Sequence, residues 1–174
     1  MDEWSPQGVV LLQVLGLGVG ATAVMDLWLM GLRRAGVPTL NFALLGRWSG
    51  HLLRGQWRHE AIARSPAVPG ELALGWVMHY AVGLLFAALL VAWQGPSWFA
   101  APRLGPALAV GLGTVVAPLL LMQPAMGAGL AGRRNGPVAR NLLRSTANHA
   151  VFGLGLYLSA LALRFIAVLP VSTA

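Results

Sequence analysis

The stretch that decides the fold is Gly75–Phe86, which reads GWVMHYAVGLLF and lies inside a longer uncharged, apolar run. Gly75, His79 and Gly83 are four residues apart, so on a helix they form one stripe. The same spacing of a small residue, a histidine and a glycine returns about seventy positions later, at Ser145, His149 and Gly153. The two stripes predict a pair of membrane helices, each with one histidine on a face that allows close packing.

The composition is that of a membrane protein. The chain of 174 residues is 57% hydrophobic and only 10% charged, whereas a soluble domain carries about 25% charged residues. It has no cysteine, which excludes disulfides and thiolate metal sites. Its length predicts a single domain, residues 1–174. The acidic start, Met1–Trp4, is unlike a secretory signal and predicts that the first apolar run is retained.

Four apolar runs are long enough to span a bilayer, for which about 20 residues are needed. We therefore predict an all-α membrane protein with four transmembrane helices. The predicted spans are residues 7–32, 72–93, 104–122 and 142–168, and the connecting segments are 33–71 and 123–141. The first and third spans share a G-x-G start, and the second and fourth share the histidine stripe, so the spans also fit two parallel two-helix repeats.

The arginines predict the orientation, because cytoplasmic loops collect positive charge. There is no lysine, and ten of the twelve arginines lie at or beside the two connecting segments, which leaves only Arg103 and Arg164 on the opposite side. We expect both connecting segments in the cytoplasm and both termini outside. In the first segment a basic face suits a helix on anionic lipid headgroups; this lipid-facing basic stripe comprises Arg47, His51, Arg54 and Arg58.

Polar side chains fall at one depth in the predicted spans. On helices, Asp26 lies about 10 Å from Arg33, His79 about 12 Å from Glu71, and His149 about 8 Å from Arg144. We predict an intramembrane polar layer formed by Asp26, His79, Gln123 and His149. A buried carboxylate is costly in a bilayer and needs a partner, and an Asp–His pair suits proton-coupled transport.

Three functions stay open at this stage. The first is a small transport or permeation module built on the polar layer. The second is a non-transporting membrane protein that binds a partner protein or anionic lipid through its arginine-rich face. The third is a metal- or haem-binding protein, since two histidines and a carboxylate are able to ligate iron, zinc or copper. The structural alternative for each side chain is a packing or interhelical contact of about 0.6–2 kcal/mol.

The expected partners are the lipid bilayer, anionic headgroups, and a second copy or another membrane protein, but not nucleic acid. No cofactor is expected, and the nature of any metal is left open. His59-Glu60 does not open an H-E-x-x-H motif, because Ala63 stands at the position of the second histidine. G-x-S-x-G and P-loop motifs are missing as well. We therefore do not expect an enzyme.

Ordered motifs give the chain a family resemblance. From about Gly16 to Leu163 it resembles the bacterial family "domain of unknown function 2938", which implies a bacterial integral membrane protein and assigns no catalytic or binding residues. We expect its location to be the inner membrane. The motifs that carry the resemblance are Ala21–Trp28, Leu40–Ala43, Gly46–Trp48, Arg58-His59, Pro69–Glu71, Gly75-Trp76, His79-Tyr80, Leu121–Gly127 and His149–Gly153.

Overall fold

The computed structural model describes residues 5–168, and every regular element in that range is helical. The acidic Met1–Trp4 segment, on which the retained-span prediction rests, lies outside the described residues. The helices are α1 (Pro6–Arg34), α2 (Phe42–Leu52), α3 (Glu71–Gln94), α4 (Leu104–Gly113), the single turn α5 (Gln123–Ala125) and α6 (Val138–Val168). Short 3₁₀ turns occupy Ile62–Arg64, Pro96–Ala100 and Leu130–Gly132.

Four segments are long and apolar enough to cross a membrane: Pro6–Arg34, Glu71–Gln94, Leu104–Ala125 and Val138–Ile166. The fold class predicted from the sequence is thereby confirmed. The helices begin where the chain provides caps. Ser5 accepts from the Gly8 N–H ahead of α1, and Asn41 accepts from the Ala43 and Leu44 N–H groups at the start of α2.

The third span is interrupted in its middle. Regular α-helix ends at Gly113, and a π-helical turn covers Ala117–Met122 before α5. Pro118 and Pro124 lack the N–H group that would bond back to the preceding turn, so this half of the span cannot hold a regular α-helical ladder. Discontinuous spans of this kind line binding sites in many transporters.

The spans pack in the order α3–α1–α6–α4, and α3 makes much less contact with α4 than with α1. Glycines allow the close approaches: Gly16 and Gly20 of α1, which form a GxxxG pair, face Leu163 and Ser159 of α6. The main core lies toward the α1 N-terminus and includes Leu17, Leu90, Trp98, Phe152 and Leu156. The other half of the bundle, toward Arg34 and Arg140, is hereafter the arginine-rich end.

At the arginine-rich end α2 runs antiparallel along the first turns of α3. A Cβ atom on Gly75 would collide with the Phe42 carbonyl, and one on Gly46 with the Glu71 carbonyl. Only glycine permits the two backbones to come this close. The contact fixes α2 beside the second span and brings Phe42 to the level of His79.

Candidate functional site

Asp26 and His79 form the polar centre of the bundle. The Nε2 atom of His79 lies 2.8 Å from Oδ1 of Asp26, and the Tyr80 hydroxyl donates to Oδ2 at 2.9 Å. The His79 side chain is only 8% exposed and that of Asp26 is 20% exposed. The sequence places both residues at one depth, and α1 packing on α3 turns them toward each other. The predicted partnership of Asp26 with a histidine is thus present.

Aromatic rings hold the His79 imidazole in place. Phe42 at the start of α2 stacks on Trp76 with ring centroids 4.1 Å apart, and its ring lies 4.9 Å from that of His79. Since α2 is locked to α3 at Gly46 and Gly75, these rings cannot easily withdraw. They shield one side of the imidazole from water, which strengthens its interaction with Asp26.

His149 has a different kind of partner. Its Nδ1 atom lies 3.0 Å from the Gly111 carbonyl and 3.2 Å from the Thr114 hydroxyl. The Gly111 carbonyl is free to accept because the Val115 N–H bonds to Leu112 instead. The interruption of the third span thus supplies the hydrogen-bond acceptor that orients His149.

Both histidines line one central cavity of about 270 Å³ between α3 and the interrupted third span. Apart from the two histidines, its walls are almost entirely apolar. Asp26 does not line the cavity but contacts the ring of His79, which does. An apolar cavity with a few convergent polar groups is the usual form of a small-molecule site. The lining residues are Thr22, Met25, Leu40, Leu45, Trp48, Met78, His79, Val82, Gly83, Phe86, Ala117, Pro118, Leu121, Met122, His149 and Phe152.

Gln123 does not belong with the other three members of the predicted polar layer. Its side-chain oxygen accepts from Asn141 at 2.9 Å, and Asn141 also donates to the Ala131 carbonyl at 2.8 Å. Gln123 is also not part of the cavity wall. Gln123 was assigned to the layer because it ends the third span, and in the structure it directly follows the π-helical turn. It ties the second connecting segment to α6.

The predicted basic stripe is divided. Arg47 makes a two-pronged ion pair with Glu71, at 2.8 and 2.9 Å, and donates to the carbonyls of Ala63 and Ser65. The hydrogen bond that Arg47 donates to Glu71 raises the pKa of Arg47. His51 is buried. The lipid-facing assignment is therefore wrong for Arg47 and His51, because α2 packs on α3 and turns this face inward.

Arg54 and Arg58, the other two members of the stripe, are exposed. The guanidinium of Arg58 lies over the Trp57 ring, 4.5 Å from its centroid. Beyond them, exposed arginines continue around the same end of the bundle, at Arg64, Arg133, Arg134 and Arg140.

A second histidine pair joins the two connecting segments. His51 Nδ1 lies 2.7 Å from His59 Nε2, and the His59 backbone N–H donates to the Ala125 carbonyl. Burial lowers the pKa of His59, and the charge of His51 lowers it further. In a hydrogen bond between these two nitrogens, one donates and the other accepts, so only one of them carries a proton.

Three partners of the site residues were not anticipated from the sequence: Tyr80 on Asp26, Thr114 on His149, and Glu71 on Arg47. The role of Tyr80 could have been predicted, because it adjoins His79 and its hydroxyl needs a hydrogen-bond partner in an apolar span. Nothing in the spacing links the other two pairs. Within residues 5–168 no group of three His, Asp or Glu side chains lies close enough to hold a metal ion.

The fold and site define a class: a multi-pass helical membrane protein with an intramembrane Asp–His pair beside an apolar cavity. A family model described as "Protein of unknown function (DUF2938)" matches residues 15–163, and the chain belongs to that family. The resemblance noted in the sequence is thus confirmed. Searches of curated proteins and of solved structures give no match.

Proposed function

We propose that the protein is a small proton-linked transport or permeation module for a membrane-soluble molecule. The observation that carries the proposal is the Asp26–His79 contact of 2.8 Å, with His79 standing between the carboxylate and the central cavity. Histidine serves as a proton shuttle in many proteins, and the cavity offers a place for cargo beside it. Ionisable groups in spans commonly mark proton or substrate pathways.

Two further features support transport over a purely structural role. The third span is interrupted at the cavity, which is where transporters commonly bind their cargo. The neighbouring contact between α3 and α4 is small, so these two helices can separate more easily than the pairs α1–α3, α1–α6 and α4–α6. We place the protein in a bacterial inner membrane with both termini outside, on the arginine distribution.

The test is proton flux in proteoliposomes that contain a trapped pH-sensitive dye, under an imposed membrane potential. Wild-type protein should carry protons faster than protein-free vesicles, and Asp26→Asn should lower this excess at least about tenfold, as expected for loss of a required proton-transfer group. Glu60→Gln removes an exposed carboxylate outside the spans and should leave the flux unchanged. Flux that equals the vesicle background, or that survives Asp26→Asn, would contradict the proposal.

A second function is favoured by the exposed arginines. Arg54 and Arg58 project beyond α2, and Arg133 and Arg134 are exposed on the second connecting segment. This face suits anionic headgroups or an acidic partner protein. Native mass spectrometry should find fewer retained anionic lipids on the double variant Arg54→Gln, Arg58→Gln than on wild type. Arg164→Gln, exposed near the opposite end, is the control, and equal retention by all three proteins would exclude lipid binding here.

A further inference from the structure

The hydrogen-bond partners of His149 fix which of its ring nitrogens carries the proton. The Gly111 carbonyl, 3.0 Å from Nδ1, can only accept a hydrogen bond. The Thr114 hydroxyl donates to the Val110 or Gly111 carbonyl and therefore presents a lone pair to the same Nδ1. Nδ1 is thus the donor, and in the neutral ring Nε2 is left as an acceptor.

The same reasoning applies to His79 with the nitrogens exchanged. Nε2 faces Oδ1 of Asp26 at 2.8 Å, and Tyr80 already donates its hydroxyl proton to the other carboxylate oxygen. A carboxylate in this setting accepts, so Nε2 of His79 donates. In the neutral ring Nδ1 is then an acceptor. When the ring gains a proton, Nδ1 becomes a donor while Nε2 keeps its bond to Asp26.

The two neutral rings therefore each contribute a hydrogen-bond acceptor to an otherwise apolar cavity. Both rings line the cavity, and in its neutral form each keeps one unprotonated nitrogen. The remaining wall is formed mainly by Leu, Met, Phe, Val and Trp side chains. An apolar ligand whose polar group only accepts, such as an ether or a ketone, would leave these nitrogens unpaired. A hydroxyl group donates to a neutral imidazole and accepts from a protonated one, so it fits both states of His79.

We propose that the central cavity binds an apolar molecule that carries a hydroxyl group, with the hydroxyl proton donated to His79 or His149. The inference deepens the proposed function by naming the class of cargo, and it rests on that function only for the claim that the bound molecule is moved. The cavity of about 270 Å³ is at the small end of ligand sites, which favours a short or compact apolar body over a two-chain lipid.

The test uses nitrogen NMR of protein labelled at histidine, reconstituted in lipid nanodiscs. The chain has four histidines, and the signals of the intramembrane pair are assigned with His79→Leu and His149→Leu. Neutral His149 should show a protonated Nδ1 and a bare Nε2, and neutral His79 the reverse. The probes are 4-hexylphenol and its methyl ether 4-hexylanisole, in which a methyl group replaces the hydroxyl proton.

Titration with 4-hexylphenol should move the signal of at least one bare nitrogen, His79 Nδ1 or His149 Nε2, in a saturable way. 4-Hexylanisole should bind about three- to tenfold more weakly, which corresponds to the loss of one hydrogen bond, and should not move these signals. The His51 and His59 signals, outside the cavity, are the internal control. Equal responses to both probes, no response to either, or the opposite tautomers would overturn the inference.

This binding experiment needs no gradient and no flux. If 4-hexylphenol binds as expected while proton flux is missing, the cargo site stands and the transport function fails. If flux depends on Asp26 while neither probe moves the cavity nitrogens, the proton site stands and the hydroxyl specificity fails.

Discussion

The two helix pairs of the bundle share a glycine and histidine spacing but give their histidines different partners. On α3, Gly83 packs against Thr22 of α1; on α6, Gly153 packs against α4 at Ala107 and Leu108. Each glycine lies one turn from a histidine that lines the same cavity. The shared packing is consistent with the predicted two-helix repeat, which stays a prediction.

The difference lies in what each imidazole bonds. His79 meets the carboxylate of Asp26, whereas His149 meets the backbone carbonyl of Gly111. A carboxylate can hold a charge or a proton and exchange it with its neighbour, while a carbonyl only fixes the orientation of the ring. The position of the third span that corresponds to Asp26 is Leu119, which is buried. The two halves of the cavity therefore differ in chemistry, because one imidazole contacts a carboxylate and the other a backbone carbonyl.

The largest expected effect comes from replacing each histidine in turn. His79→Leu leaves the Asp26 carboxylate without its strongest partner and should lower the free energy of unfolding by about 3 kcal/mol. His149→Leu removes one hydrogen bond to the Gly111 carbonyl, which the Thr114 hydroxyl also reaches, for a loss of about 1 kcal/mol. Denaturation in mixed micelles measures both values. Equal losses for the two variants would contradict the proposed difference between the two histidines. The double change Asp26→Leu, His79→Leu should recover part of the stability lost in His79→Leu.

A smaller effect is expected from closing the contact between α4 and α6. A methyl group on Gly111 would lie 2.5 Å from the His149 carbonyl oxygen and 2.7 Å from the Gly153 Cα, both of them backbone atoms. Gly111→Ala should therefore cost about 2 kcal/mol and disturb the His149 hydrogen bond. Gly113→Ala, with no atom within 4 Å, is the matched control and should be neutral or slightly stabilising. The Gly111 variant should leave the Asp26–His79 contact intact, which the His79 nitrogen signals would report.

The smallest effect is the pH dependence of stability that comes from the pair of His51 and His59. Burial holds the pKa of His59 below its usual value in the folded protein, so below about pH 6.5 the unfolded chain binds more protons than the folded one. The stability contributed by neutral His59 is complete above that pH and is lost as the pH falls through it. The melting temperature should therefore be lower at pH 5.5 than at pH 7.5.

His59→Gln should reduce this pH dependence. Any pH dependence of the melting temperature that remains in this variant does not come from His59. An unchanged melting curve between pH 5.5 and 7.5 in wild type would contradict the role given to His59. Glu71 and its partner Arg47 lie near His51, so the Arg47–Glu71 ion pair is left unchanged in the His59 variant.

Much of this architecture was predictable because helix geometry is regular along its axis. The four spans, and the common depth of Asp26, His79 and His149, followed from the lengths of apolar runs and from a fixed rise per residue. Gln123 was assigned to the same layer because it ends the third span, but it bonds Asn141 and does not line the cavity. The depth of a side chain can be predicted from the rise per residue only where its helix is regular.

The sequence by itself determined that the chain forms four apolar helices and that few polar groups lie within them. Only the tertiary structure decided which of these groups meet, since the rotation of each helix depends on packing against its neighbours. Arg47 illustrates the point: its spacing suggested a lipid-facing residue, but the glycine contact between α2 and α3 brings it against Glu71. The pairing of His79 with a carboxylate and of His149 with a carbonyl was fixed in the same way, by which helix face each one packs against.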